Sequence, residues 1–173
     1  MIHVRQNSYL VTAEEYAKQV KTELSDTWLP LIYRERILKT RTRSYSFGAL
    51  PRKPRVEIQH TLLGVELKVG QRRLLCPDLA TARYLAVFAR AGCKEVAVPY
   101  DITRVSLLAD QLESSWHRML LLADQKAAQR PDSFRARIHG LLIAKLRGEI
   151  AADGASTPVP EFKQSTKQRA EGH

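Results

Sequence analysis

Thirteen residues, LATARYLAVFARA from Leu79 to Ala91, constrain this chain more than any other stretch. Their only polar members are Thr81, Arg83, Tyr84 and Arg90. Asp78 stands before them as an N-cap and Gly92 after them as a stop, so they predict a helix that is apolar almost all round. A helix of that kind must be covered on more than one side. The flanking segments supply the cover. Residues 56–76, VEIQHTLLGVELKVGQRRLLC, alternate apolar and polar in VELKV and carry turn glycines at 64 and 70, which predicts two or three paired strands. Residues 95–99, EVAVP, form a short valine-rich run expected to be a buried strand parallel to the one before the helix. Together these segments predict a β-α-β unit with its helix lying across the sheet.

The rest of the chain adds helices. Thr12 and Glu15 form a capping box, and Tyr16, Val20 and Leu24 recur at helical spacing, so residues 12–24 predict an N-terminal helix. Pro30 argues against a long helix through residues 27–45, whose apolar and β-branched content suits a twisted strand, with a short helix as the alternative. Residues 46–55 hold Gly48, Pro51 and Pro54 and predict a charged, mobile loop. After Asp101, the positions Val105, Leu108, Leu112, Trp116, Met119 and Ala123 mark the face of a long helix to about Gln129. Pro131 breaks it. Phe134, Ile138, Leu141, Leu142, Leu146 and Ile150 then line a second helix, and the pair is expected to form a hairpin. Of the 173 residues, 44% are hydrophobic, enough for a core without disulfides or metal. Cys76 and Cys93 belong to no CxxC or Cys/His cluster and read as small core residues. The expected architecture is one α/β domain over residues 1–150: a small mixed sheet with a buried crossover helix, an N-terminal helix and a C-terminal helical hairpin. A disordered tail is expected over residues 151–173.

Charge points to a partner class. The chain carries a net charge of +10, and most of it lies between Tyr33 and Arg55. There Arg34, Arg36, Lys39, Arg41, Arg43, Arg52, Lys53 and Arg55 face the single acid Glu35, with Tyr33, Tyr45 and Phe47 among them. Cations for phosphates and flat side chains for bases are the two requirements of nucleic-acid contact, RNA or DNA. Arginine suits it better than lysine, because a guanidinium bonds phosphate through two donors and also stacks. If residues 33–43 are a strand, Arg34 and Arg36 share one face, with Tyr33, Glu35 and Ile37 on the other. Arg72 and Arg73 extend the patch if the sheet brings them alongside. The alternative is a solvated basic surface that serves only solubility.

A second pattern is Glu66-Leu67-Lys68. On a strand, Glu66 and Lys68 point the same way, so a carboxylate able to bind a divalent cation would lie beside an ammonium able to orient water. With the runs GVELKVGQRRL and PDLATARYLAVFARAGCKEVAVP, residues 12–99 resemble the core of the restriction-endonuclease-like PD-(D/E)xK superfamily. The resemblance implies a nuclease dependent on a divalent metal such as Mg2+, with Glu66 a ligand and Lys68 the catalytic lysine. It also asks for an aspartate on the preceding strand, where this chain offers only Glu57 as a second ligand. The simpler reading makes Glu66 and Lys68 solvent-facing neighbours.

Asp78 and Asp101 each follow an expected strand of the parallel unit, where open α/β sheets place their sites, but both are also ordinary helix caps. The five histidines are scattered, and no glycine-rich nucleotide loop occurs, so no nucleotide cofactor is implied. The start, MIHVRQNSYLV, has no long apolar run, and no window approaches a membrane span, so the expectation is a cytoplasmic protein with no membrane partner. A third functional class is an assembly protein, in which the C-terminal helices dock a protein partner around Trp116, Met119 and Leu122 and the basic segment meets an acidic surface.

Overall fold

The computed structural model describes residues 10–51 and 53–155. Helix α1 (Ala13–Leu24) starts as the capping box dictates, with the Glu15 amide donating to Thr12 Oγ1 at 3.2 Å. It buries Ala13, Ala17, Val20 and Leu24 against two C-terminal helices, α4 (Ile102–Lys126) and α5 (Asp132–Asp153). Ion pairs edge those contacts: Lys126 with Glu23 at 2.7 Å, Arg137 with Glu14 at 2.8 Å, and Lys21 with Glu149 at 3.1 Å. Helix α5 packs against α4 as well, and His139 Nε2 lies 2.8 Å from Asp124 Oδ1 between them. Trp116 and Met119 are buried here and Leu122 half-buried. The apolar face of α4 is therefore covered by this chain itself.

The stretch expected to be a twisted strand is helical for its first half. Short helix α2 (Leu29–Ile32) passes into a π-type turn over Tyr33–Ile37, closed by the Leu38 amide donating to the Tyr33 carbonyl at 2.9 Å. Pro30 lies in the first turn, where its missing N–H has no helical partner to lose, so it begins this helix instead of preventing one. Tyr33 and Ile37, four apart, turn inward and are fully buried. Arg34, Glu35 and Arg36 turn outward. The face assignment that a strand implies for these residues does not hold.

Among the described residues five strands divide into two sheets. Strand β1 (Thr42–Ser46) pairs antiparallel with β5 (Glu95–Pro99) in a two-stranded sheet, with Arg43 opposite Val98 and Tyr45 opposite Val96. Strands β2 (Val56–Thr61), β3 (Gly64–Val69) and β4 (Arg72–Cys76) form an antiparallel meander. The mixed helix-and-sheet class, the N-terminal helix and the buried helix before EVAVP are as expected. The parallel pairing is not: among the described residues every ladder is antiparallel, so helix α3 (Leu79–Arg90) joins two separate sheets and no β-α-β unit forms. EVAVP is buried as a parallel strand would be because helices and tyrosines cover it.

Helix α3 is buried from Tyr84 to Ala89, with the meander on one side and α4 on the other. The meander meets it with Leu67, Val69 and Cys76, while Glu57, Gln59, Glu66, Lys68, Arg73 and Leu75 occupy the opposite face, as alternation requires. The edge of β5 away from β1 is closed by side chains. The Ala97 amide donates to the Tyr33 hydroxyl at 3.0 Å, and the Tyr84 hydroxyl donates to the Ala97 carbonyl at 2.6 Å. The Tyr33 hydroxyl in turn donates to the Gly154 carbonyl at 2.5 Å, tying the end of α5 to the core. Helix α5 runs to Asp153, three residues into the stretch expected as a tail, and the tail from residue 156 onward lies outside the described residues. Among the described residues no helix is long and apolar enough to cross a membrane.

Candidate nucleic-acid interface

The π-type turn decides how the basic segment is displayed. Its wide ring pushes Arg34, Glu35 and Arg36 to the surface while Tyr33 packs edge-on to Phe88, with ring centroids 5.7 Å apart. Arg34 is bound by Asp153, with its Nη2 3.1 Å from Oδ2, so it anchors α5 and presents little free charge. Lys39 pairs with Glu35 one helical turn away. The hydrogen bond from Lys39 is the main reason the Glu35 carboxyl sits below its usual range. Arg36 is held by an uncharged partner, its Nη1 donating to Gln111 Oε1 at 2.6 Å, so its charge is oriented and not cancelled.

That hydrogen bond crosses a groove between the π-type turn and α4. The groove encloses about 370 Å3 and is lined by Glu35, Arg36, Lys39, Thr40, Arg104, Leu107, Leu108 and Gln111. A second depression of about 270 Å3 continues from it past the shared Arg36 and Gln111 to Ser114, Ser115 and Arg118. Two acids line this path and both are engaged: Glu35 by Lys39, and Asp110 by Arg83 at 2.6 Å. Among the described residues the cations along it without an ion-pair partner are Arg36, Arg104 and Arg118, with Asp101 acting on Arg104 from beyond contact distance. Arg104 and Arg118 come from α4, outside the basic segment, so counting charge along the sequence misses them. Their spacing of fourteen residues, close to four helical turns, is the signal that puts both on one face.

The remaining basic residues continue along β1. Arg41 lies over Tyr100, its Cζ 5.2 Å from the ring centroid, and the Tyr100 amide donates to the Arg41 carbonyl at 3.1 Å. Arg43 and Tyr45 line a groove of about 290 Å3 with Leu75, Cys76, Pro77, Thr81, Leu85 and Val98. Desolvation raises the Tyr45 hydroxyl above its ordinary pKa, and the Cys76 thiol beside it is raised for the same reason. Arg72 donates to the Phe47 carbonyl, which brings β4 to the end of β1. Arg55 pairs with Glu57 at 3.0 Å, and Lys53 and Arg73 are exposed. Arg52 lies outside the described residues. Among the described residues no carboxylate lies within ion-pair distance of Arg36, Arg41, Arg43, Lys53, Arg72, Arg73, Arg104 or Arg118.

The aromatic part of the expectation changes. Tyr33 and Phe47 are core residues and Tyr45 is half-buried against Phe47, with centroids 5.1 Å apart. The exposed aromatic on this side is Tyr100, outside the basic segment. It follows a buried strand and precedes the capping residue Asp101, a place where the chain emerges at the surface.

The E-x-K residues are on the open face of the meander. Glu57 is opposite Lys68, Gln59 opposite Glu66 and Arg73 on the far side of Lys68. Glu57 and Glu66 are thus diagonal neighbours, about 7–8 Å apart by ordinary sheet geometry. A cleft of about 370 Å3 lined by Arg55, Glu57, Lys68, Gly70 and Gln71 opens beside them. Glu66 Oε2 is buried and, among the described residues, has no hydrogen-bond partner. Among the described residues no group of three or more His, Cys, Asp or Glu side chains is arranged to hold a metal ion. Asp78 and Asp101 act as caps, accepting from the amides of Thr81 at 2.7 Å and Thr103 at 3.1 Å. Hydrogen bonds from Thr103 hold the Asp101 carboxyl below its ordinary pKa. Comparison with protein-family models, curated proteins and solved structures finds no match for this chain.

Proposed function

We propose that this protein binds nucleic acid, with arginines of residues 34–55 contacting phosphates together with Arg72, Arg73, Arg104 and Arg118. One observation carries the reading: the groove between the π-type turn and α4 is walled by Arg36 and Arg104, neither of which has an ion-pair partner among the described residues, while the acids along the path, Glu35 and Asp110, are held by Lys39 and Arg83. A groove with uncancelled guanidiniums on a chain of net charge +10 attracts a polyanion and tracks its backbone. Arg36 is fixed by Gln111, so little side-chain freedom is lost when it meets a phosphate.

The test is anisotropy binding of labelled single-stranded RNA, single-stranded DNA and duplex DNA across a salt series. Affinity falls steeply as salt rises, and Arg36→Ala with Arg104→Ala lowers the slope of log K against log salt by about one unit per lost contact. Binding that is absent, or indifferent to salt, removes the reading.

A second reading has its own observation. The unpartnered Glu66 Oε2, with Lys68 two residues along and Glu57 diagonal to it, supports a divalent-metal-dependent nuclease centred on the meander. It requires Mg2+-dependent cleavage of bound strands that disappears in Glu66→Ala. Binding without cleavage leaves the first reading alone.

A further inference from the structure

Two features of this side serve no purpose in holding phosphates. Tyr100 is 56% exposed and Leu107 59% exposed, although each sits within a basic surface where a polar residue would do. Neither is loosely placed. The Tyr100 backbone is pinned to Arg41 by a hydrogen bond just beyond the β1–β5 ladder, and the Arg41 guanidinium lies over its ring. Leu107 is on a continuous helix, beside the buried Leu108, and forms the apolar part of the groove whose walls are Arg36, Lys39 and Arg104.

A duplex offers such a surface phosphates, sugars and base edges, because its base faces are stacked inside. A single strand offers a base face next to every phosphate, and stacking on an aromatic ring is tolerant of sequence. An aromatic ring backed by a guanidinium, on the chain that leads directly into the helix carrying Arg104 and Leu107, matches that alternation of charge and flat surface. We propose that this side takes single-stranded nucleic acid, with a base stacked on the Tyr100–Arg41 pair and the flanking phosphates drawn to the arginines. This rests on the nucleic-acid reading above and adds to it the strandedness of the ligand and the residues that contact bases.

The experiment compares a single-stranded oligonucleotide of about 16 nucleotides with a tetrahydrofuran abasic strand of the same length and charge, at matched salt. The native protein binds the intact strand roughly 5- to 150-fold more tightly, the range expected of one stacked base. Tyr100→Ala brings the two within about twofold, while Tyr100→Phe keeps the preference. Both substitutions leave the Tyr100 amide to bond Arg41, and an unchanged circular dichroism spectrum and melting temperature establish that each variant is folded. Equal, salt-sensitive binding of intact and abasic strands by the native protein overturns this inference and leaves phosphate binding standing. A base preference that survives Tyr100→Ala overturns its location. Binding of neither strand overturns both this inference and the reading beneath it.

Discussion

Replacing Tyr33 by Phe removes one oxygen from the centre of the molecule and unfastens two elements at once. The hydroxyl accepts from the Ala97 amide at 3.0 Å and donates to the Gly154 carbonyl at 2.5 Å. The ring keeps its place against Phe88, so no cavity opens and the cost is confined to hydrogen bonding. The Ala97 amide belongs to a residue with no exposed surface, and water cannot replace the lost acceptor. A buried donor left in that state costs about 1–3 kcal/mol. The Gly154 carbonyl is half-buried and can be rehydrated, which adds about 1 kcal/mol. The total is about 2–4 kcal/mol, a large share of the stability of a single domain. With a urea m-value of about 2 kcal/mol/M, the midpoint falls by roughly 1–2 M while m stays unchanged. Tyr84→Phe acts on the carbonyl of the same residue, so the double variant reports their coupling. A loss below about 0.5 kcal/mol for Tyr33→Phe refutes the claim that tyrosine hydroxyls complete the free edge of β5.

Alkaline pH attacks the same region. Burial pushes the Tyr33 hydroxyl up to about 12 and the Cys93 thiol up to about 12. Both groups hold their protons more tightly when folded. Their contribution is therefore complete below about pH 7.5, where neither ionises even in the unfolded chain, and is lost as pH rises through the ordinary thiol range toward 12. Melting temperatures recorded upward from pH 8 decline over that window, and a flat profile contradicts the burial argument. Asp101→Ala removes the cap on α4 and costs about 1 kcal/mol in thermal or urea unfolding. The same change deletes an acid next to Tyr100, so on the proposed reading nucleic-acid affinity rises in the salt series while stability falls, and an affinity that falls together with stability contradicts a phosphate path beside Tyr100. Gly92→Ala places a Cβ at a φ of +77°, 2.9 Å from Arg147 Nη1. The guanidinium can move aside, so the cost is the left-handed backbone, about 1–2 kcal/mol by urea unfolding.

The helices and the meander were legible because each rests on a local signal. Thr12, Asp78 and Asp101 cap where their side chains predict, VELKV alternates about Leu67 and Val69 as its pattern requires, and both cysteines are buried. Two features were not legible, and each has a physical reason. Pro30 signals a break only inside a helix, and nothing local distinguishes that position from a first turn. A short valine-rich run reads as buried whether a parallel strand or two tyrosine hydroxyls cover its edge, so EVAVP could not reveal its antiparallel partner β1 from its own residues. The basic segment was visible as charge but not as a surface. Which arginines remain uncancelled depends on acids far away in sequence, such as Asp153 for Arg34.

That dependence alters what the segment can do. Had Tyr33, Tyr45 and Phe47 stood among the arginines at the surface, the segment would have carried both kinds of contact with a nucleic acid. The core takes Tyr33 and Phe47, because a two-stranded sheet and a one-turn helix need large side chains to be buried at all. Of the segment's aromatics only Tyr45 stays half-exposed, so the segment is left chiefly with charge, and contacts to phosphate read no base. On the proposal above, contact with bases falls to Tyr100, which the chain just beyond the β1–β5 ladder delivers to the surface beside Arg41. Arginine substitutions should therefore weaken single and double strands alike, whereas substitutions at Tyr100 should weaken single strands selectively. If both sets act equally on both ligands, the division of labour between charge and stacking is wrong.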